Sequence, residues 1–499
     1  MSSDGRANIL FVMADQLAAR ALPAYGNSVA RTPNLDALAA EGVLFESAYC
    51  NSPLCAPSRA SLLAGRLPSR IGAYDNGAEL AASVPTLAHY LRARGYFTCL
   101  AGKMHFIGPD QLHGFEERLT TDVYPAGTDW IPDWGRPLDE RLPWYHDMSS
   151  VLEAGISEAT LQLDYDEEVA FRSVRKLYDL ARSDDGRPFF LLVSFTHPHD
   201  PFEMPRAYWE RYADADMPRV RALPFDEVDP HSRRVRVMCG TDEAGIHEED
   251  VQRARHAYYA AVSYVDDKVG ELLRALELTA LRGRTIVLFA SDHGEALGER
   301  GLWYKMTFFE DSARVPLVFH APGRLAPRRV AENVSLVDLL PTLAELADGR
   351  VEPADPLDGA SLVPLLEGDA QERVVSGEYL AEGTHAPCVM LRRGTLKFVH
   401  CPGDPDQLYD LAADPLELDN LTEHPELESF RAEVRGRWNL GELHDEVVAS
   451  QRRRLFVARA LAAAGEPPVW DYAPRDDSRD RYVRGADFWR PFGRARLRP

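Results

Sequence analysis

Cysteine is scarce in this chain and never closely paired. Six cysteines among 499 residues, at positions 50, 55, 99, 239, 388 and 401, form no C-x-x-C, so neither a zinc knuckle nor a disulfide framework can be read. Positive charge is also short. Lys and Arg number 56 against 78 Asp and Glu, a formal net charge of −22. A general nucleic-acid binder needs a basic footprint, and that class drops out. No stretch approaches the ~20 apolar residues that span a bilayer. The start, MSSDGRANILFVMADQ, lacks the basic segment, long apolar core and small-residue cleavage site of a signal peptide. These absences lead to the expectation of a cytoplasmic protein with neither nucleic-acid nor membrane partners.

What the chain does hold is alternation. Short continuous apolar runs at 8–14, 43–50, 96–101, 189–195, 284–290 and 315–320 predict strands buried on both faces. Helical patterns at 33–40, 84–94, 161–182, 251–278 and 337–347 lie between and beyond them. This order predicts an α/β fold, a mostly parallel, doubly wound sheet with helices on both faces. Residues 114–150 are irregular and long for a connection, which reads as a functional cover. Residues 204–250 read as a polar excursion over the surface. Past a loop-like stretch at 355–368, β-type runs at 372–380, 388–392, 396–401 and 407–411 predict a smaller antiparallel sheet followed by a helix. The expected division is a catalytic α/β domain over 1–365 and a C-terminal α+β subdomain over 366–499. The tail from residue 470, rich in Arg, Asp and aromatics, is expected to pack on a neighbouring subunit of a homo-oligomer.

In such sheets ligands bind beyond the carboxyl ends of the strands. Asp15, Lys103, His197 and Asp292 each follow a predicted strand. The stretch NSPLCAPSRASLLAGRLPSR (51–70) adds a fifth group. Proline suits a helix start and glycine its end, so 57–64 reads as a helix with Cys55 on the loop before it. Free N–H groups there favour anions, and Arg59 adds a planar cation. A free cysteine is most often a small buried hydrophobe. Against that stands C-x-P-S-R, which six cysteines would produce by chance in fewer than about one chain in a hundred. Asp15 with Asp292-His293-Gly294 offers two carboxylates and an imidazole. Without a shared cation the acids would repel each other. Oxygen ligands suit Ca²⁺, Mg²⁺ or Mn²⁺, and the imidazole shifts the preference toward Mn²⁺.

These motifs resemble those of a known family. CAPSR resembles the sulfatase maturation motif, and GYFTCLAGKMH (95–105) resembles the second sulfatase signature. QLYDL (407–411), with DP at 414 and NL at 420, is similar to the family's C-terminal strand and loop. Within the family, SPLCAP (52–57), YDN (74–76), GPDQLHGFEERLTTD (108–122), SFTHPHDP (194–201), GERGLW (298–303) and the tail around WD at 470 resemble choline sulfatases.

The resemblance covers nearly the whole chain. It implies an alkaline-phosphatase-like fold and hydrolysis of a sulfate ester, choline-O-sulfate. It implies that a formylglycine-generating enzyme oxidises Cys55 to formylglycine (3-oxoalanine), an aldehyde that hydrates to a gem-diol. Asp15, Asp292, His293 and the oxidised side chain at Cys55 would hold one divalent metal, Ca²⁺ or Mn²⁺. Gln16 stands where many members carry a second acid. Arg59 would steady the hydrate, Lys103 and Lys305 would bind sulfate oxygens, His105 would serve the nucleophile, and His197 would sit by the leaving oxygen. A quaternary ammonium has no hydrogen-bond donor and calls for aromatic faces and a carboxylate. Trp130, Trp144 and Tyr145 of the cover segment, Glu382 of the second domain and Asn76 are the expected substrate-binding residues. A broader alkyl or aryl sulfatase, or a phosphonate or phosphodiester hydrolase, would use the same constellation. A chain whose Cys55 stayed a thiol would only bind anions. Mass spectrometry of the peptide holding Cys55, from protein made in its native host, should show the aldehyde; an unmodified thiol would remove the expected nucleophile.

Overall fold

A computed structural model describes residues 6–137, 140–349, 352–463, 465–466, 468–482 and 495–497. The strands of its first half are β1 (Asn8–Ala14), β2 (Val43–Tyr49), β3 (Phe97–Gly102), β4 (Glu117–Arg118), β5 (Gly155–Ile156), β6 (Phe189–Ser194), β7 (Glu203–Met204) and β8 (Thr285–Ser291). Then come β9 (Arg314–Val315), β10 (Leu317–His320), β11 (Arg328–Ser335), β12 (Val374–Tyr379), β13 (Cys388–Arg393), β14 (Leu396–His400) and β15 (Gln407–Asp410). The longer helices are α1 (Pro33–Glu41), α2 (Cys55–Ala64), α3 (Leu87–Ala93), α4 (Leu161–Arg182), α5 (Pro230–Cys239), α6 (Glu248–Leu278), α7 (Leu339–Asp348), α8 (Leu427–Arg437) and α9 (Leu440–Ala463).

The main sheet runs β11-β2-β10-β8-β1-β6-β3-β4, with β9 paired to β2. Every residue of β1, β6 and β8 is buried. Successive side chains point to opposite faces, so continuous burial means that both faces are covered. The pairs β1/β6, β1/β8, β3/β6, β3/β4 and β2/β11 are parallel. The carboxyl ends of β1, β3, β6 and β8 therefore open on one edge. β10 runs against both β8 and β2, so the run at 315–320 is a reversed strand that sends nothing to that edge. Strand β11 has a polar outer face and carried no apolar signal.

Two further stretches differ from the sequence pattern. Helix α2 begins at Cys55 itself, with Leu54 as its cap. Pro57 is tolerated in the first turn because the N–H it lacks would have no partner there. The stretch 204–250 is only partly a surface excursion, since α5 buries His231, Val235, Met238 and Cys239. The described part of the tail lies on its own chain. Asp471 accepts from Ala126 N at 2.8 Å, Arg118 stands 5.6 Å over the Tyr472 ring, and Arg175 donates to Tyr482. Of the tail aromatics, Phe488, Trp489 and Phe492 fall outside the described residues.

The second sheet, β12-β13-β14-β15, is antiparallel throughout. Val389, Leu391, Phe398 and Leu408 pack under Leu427, Phe430 and Val434 of α8. Backbone bonds stitch β12 to the chain leading into Cys55, with Glu378 N donating to Asn51 O at 2.8 Å. A buried ion network joins the sheets as well. Lys397 Nζ, fully enclosed, meets Glu310 at 2.9 Å and Glu417 at 2.5 Å. Removing one member of such a network leaves uncompensated charge in the interior. Lys397→Met should cost about 3–5 kcal/mol in denaturant unfolding; a loss below about 1 kcal/mol would show the network to be dispensable.

Candidate active site

Five strand ends converge. β1 delivers Asp15, β2 leads to Cys55 on α2, β3 delivers Lys103, β6 leads to the string Thr196 to Asp200, and β8 delivers Asp292 and His293. Ligand atoms of Asp15, Cys55, Asp292 and His293 all lie within 4.8 Å of one another, and the four residues are buried. Glycine makes two of these turns. Gly102 has φ +98°, and a Cβ there would lie 1.9 Å from Ser194 O. A Cβ on Gly294 would lie 1.9 Å from Asp311 O.

Arg59 ties the acids together. Its Nε donates to Asp292 Oδ2 at 2.7 Å, its Nη2 stands 3.4 Å from Asp15 Oδ2, and its Nη1 reaches Lys103 O at 2.5 Å and Ser194 Oγ at 2.8 Å. It braces the carboxylates. Lys103 Nζ forms the second ion pair to Asp15 and stands 4.3 Å from the centre of the Tyr124 ring. Burial opposes ionisation of Asp15, yet Lys103 holds its carboxyl below the usual range. Burial likewise opposes a thiolate at Cys55, and Lys103, Lys305 and His293 outweigh it, holding the thiol well below its ordinary value.

His293 Nδ1 donates to Gly294 O at 3.0 Å. That bond turns Nε2 inward, 3.2 Å from Cys55 Sγ and 3.7 Å from both Asp15 and Asp292. A second-ring bond of this kind orients metal-binding imidazoles. Two carboxylates, an imidazole and the side chain at 55 are a donor set that fits a divalent cation. His105 lies close enough to Cys55 to favour its thiolate, although neither ring nitrogen makes a hydrogen bond of good geometry. Burial lowers its pKa and keeps the ring neutral. Asp122 accepts from the backbone N–H groups of Met104 and His105, both at 2.9 Å.

The other side of Cys55 is built by Lys305. Its Nζ donates to Gln16 Oε1 at 2.5 Å and to His199 Nε2 at 2.8 Å. His199 Nδ1 donates to Asp200 O at 2.7 Å, and Tyr124 OH lies 3.4 Å from its Nε2. Gln16 also donates to Glu295 at 2.5 Å and to Asp200 at 3.3 Å. Burial pushes the Glu295 carboxyl up to about 7.

His197 does not belong to this group. Its Nδ1 donates to Asp166 Oδ2 at 2.7 Å and its ring packs edge-on against Tyr264 at 4.9 Å. His199, two residues on, takes the place beside Lys305. The string THPHD offers two histidines, and only Asp166, on α4, decides between them. Two further groups carried no sequence signal. Tyr124 packs on His105 and on Trp130, and His146 stands 4.6 Å from Tyr304 and 6.3 Å from His199 by ring centres.

The residues expected to bind substrate are only partly brought together. Trp130 packs edge-on against His105 at 5.3 Å. Tyr145 lies beside Glu382, whose charge and the burial of the phenol raise its pKa. Trp144 joins through Tyr145, ring centres 4.5 Å apart. Glu382 is 3% exposed and its Oε2 has no hydrogen-bond partner. Burial pushes its carboxyl up to about 7, Asp75 adds to that, and Lys305 opposes it. Asn76 reaches the first turn of α2, its Oδ1 accepting from Ala56 N at 3.0 Å.

Comparison with known proteins agrees with this geometry. The family model described as Sulfatase matches residues 7–349, N-sulphoglucosamine sulphohydrolase, C-terminal, matches 298–443, and Choline sulfatase enzyme C terminal matches 445–488. A choline-sulfatase of Rhizobium meliloti (strain 1021) is 48% identical over 493 residues, 96% of each chain. An arylsulfatase of Clostridium perfringens (strain 13 / Type A) is 30% identical over 443 residues, 83% of this chain and 90% of that one. The crystal structure of the phosphonate monoester hydrolase of Agrobacterium radiobacter superposes with a TM-score of 0.68 at 26% identity, over 89% of this chain and 96% of that one. With the matched family model spanning most of its length and the strand-end residues in register around Cys55, this chain belongs to the sulfatase family.

Proposed function

We propose that the chain is a choline sulfatase, hydrolysing choline-O-sulfate to choline and sulfate. The likeness to the Rhizobium meliloti choline-sulfatase supports this. The observation that carries it is Glu382, a buried carboxylate with a free oxygen. It shares the site with Lys305 and Cys55. The substrate has an anionic sulfuryl end and a cationic trimethylammonium end. Lys103 and Lys305 suit the first, and Glu382 with Tyr145, Trp144 and Trp130 suits the second.

Asp15, Asp292, His293 and the side chain at position 55 would hold a divalent cation, Ca²⁺ or Mn²⁺. When bound, that cation supplies the positive charge that acidifies the nucleophile and offsets charge on a sulfuryl oxygen. Cys55 matured to the formylglycine hydrate supplies one hydroxyl to attack sulfur and a second whose deprotonation expels sulfate. The chain's own residues do the rest. Lys103 and Lys305 bind the sulfuryl oxygens and are already in place, at no reorganisation cost. His105, neutral and with both ring nitrogens free, accepts a proton from the nucleophile. An alkoxide is a poor leaving group and needs a proton. Lys305 Nζ and His199 Nε2 share one, and that pair delivers it to the departing choline oxygen. Gln16 holds Lys305 in line for the transfer.

Turnover of choline-O-sulfate, 4-nitrophenyl sulfate and a phosphodiester should differ strongly in favour of the first. Little preference for it would overturn the reading in favour of a broader sulfatase or a phosphonate hydrolase, for which the likeness to the phosphonate monoester hydrolase speaks. The cationic headgroup needs Glu382 ionised. As pH falls through about 7 the carboxyl takes up a proton, so KM for choline-O-sulfate should rise below that pH. Glu382→Gln should raise KM and flatten this dependence.

His199→Ala should lower kcat for the choline ester by about 10²-fold or more and much less for 4-nitrophenyl sulfate, whose leaving group needs no proton. His197→Ala should act on the melting temperature instead. The reverse pattern would return the leaving-group role to His197.

A further inference from the structure

Helix α9 reaches back over the site without touching any reacting group. Arg454 donates from both terminal nitrogens to the two oxygens of Asp75, each bond 2.7 Å. The Asp75 side chain is wholly enclosed and that of Arg454 is 15% exposed. Asp75 precedes Asn76, whose side chain satisfies the Ala56 N–H in the first turn of α2. One turn earlier on α9, Gln451 is 1% exposed, and its Oε1 accepts from Trp134 N at 3.0 Å. The Trp134 indole in turn donates to Ala381 O at 2.8 Å, the residue before Glu382. Tyr74, Leu380, Leu443 and Val447 close a small apolar cluster around this junction, with Trp134 packed against it.

Residues 451 and 454 are three apart, so they share one face of the helix. That face grips two loops from opposite parts of the chain. One is the loop of Asp75 and Asn76, and the other is the cover segment at Trp134, which in turn holds the turn after β12 that carries Glu382. We propose that Arg454 and Gln451 are positioning residues for the cation-binding end of the substrate site, holding Asp75 and Trp134 and, through them, Asn76 and the Ala381–Glu382 turn. A bidentate guanidinium–carboxylate pair fixes direction as well as distance, and Lys could make only part of it. The nucleophile end is braced by Arg59 and the strand ends, and α9 reaches it only through Asp75 and Asn76. Gln451, which bonds Trp134 and not the α2 loop, therefore supports the cation end alone.

The inference rests on the proposed role of Glu382. Steady-state kinetics of the full-length matured enzyme with choline-O-sulfate and with 4-nitrophenyl sulfate, which has no cationic headgroup, test it. Gln451→Ala should raise KM for choline-O-sulfate about tenfold or more, with kcat kept, and leave both constants for 4-nitrophenyl sulfate unchanged, whereas Arg454→Ala should raise that KM as far and also lower kcat for both substrates, through Asn76 and α2. Arg454→Lys should restore part of the loss. In variants of native melting temperature, no rise in KM for choline-O-sulfate, or a Gln451→Ala shift equal for both substrates, would overturn the proposal. Should Arg454→Ala fail to fold, Arg454→Lys and Gln451→Ala carry the test. Glu382→Gln separates the two ideas. If it leaves KM for choline-O-sulfate unmoved, the cation site itself is wrong; if it raises KM while the α9 variants do not, only the positioning role fails.

Discussion

Two carboxylates, Asp15 and Asp292, sit fully buried within a few ångströms of each other, and the rest of the site follows from that. Isolated charges at such depth are prohibitively costly unless paired and hydrogen-bonded. Arg59 spans both acids and Lys103 pairs with the same oxygen of Asp15 that faces Arg59. Each cation comes from a different strand end, so the charge balance holds only when β1, β2, β3 and β8 are all in register. The fold and the electrostatics thus specify each other. A cysteine set into this field has its thiolate favoured by the same lysines and His293 that a sulfate ester would meet. A group set up to attract an anion while carrying acids of its own is what a divalent cation and a sulfuryl group together require.

The site is built in two layers of different origin. The anionic end comes from the parallel sheet, whose strand ends are stiff and close. The opposite end comes from segments distant in sequence: the irregular cover with Trp130 and Tyr145, the turn after β12 with Glu382, and α9 behind them. Glu382 has no partner of its own at its free oxygen, and burial raises its pKa. An unpaired buried carboxylate is costly in an apoprotein. It is the expected state of a group whose counterion is the ligand.

Much of the anionic end was legible because burial on both faces writes strands as continuous apolar runs. Charged groups then appear within two residues of the ends of these runs, as Asp15, Lys103 and Asp292. Where the signal was absent, the cause is tertiary. His197 and His199 are chemically equal in the string THPHD; Asp166, some thirty residues earlier, captures the first and frees the second. Proline at 57 marks the first turn of α2 and not its first residue, because any early position of a helix tolerates a missing N–H. Strand β11, RRVAENVS at a sheet edge, breaks its apolar residues up with charged and polar ones, so no continuous run announces it. Tyr124 and His146 lie in a segment without periodicity, where only the folded chain shows which aromatic rings meet the lysines. The same holds for Asn76, whose part in the Cys55 helix depends on a hydrogen bond across twenty residues.

Backbone conformation ties the two layers together. Gln16, His105, Tyr304 and Met306 all have positive φ, between 59° and 77°. They lie beside Asp15, within two residues of Lys103, and on both sides of Lys305. Left-handed backbone at a residue with a side chain costs of order 1 kcal/mol or more, and such strain persists only where surrounding structure over-determines it. Here it aims the side chains. Tyr304 N donates to Glu295 at 2.6 Å, and Glu295 receives Gln16, which receives Lys305. One buried acid thus holds a strained turn, the amide that steers a lysine, and through it the histidine that shares the lysine's proton. An alkyl sulfate offers no easy leaving group, so the position of that proton matters more than for an activated ester. The strain concentrates where positioning matters most.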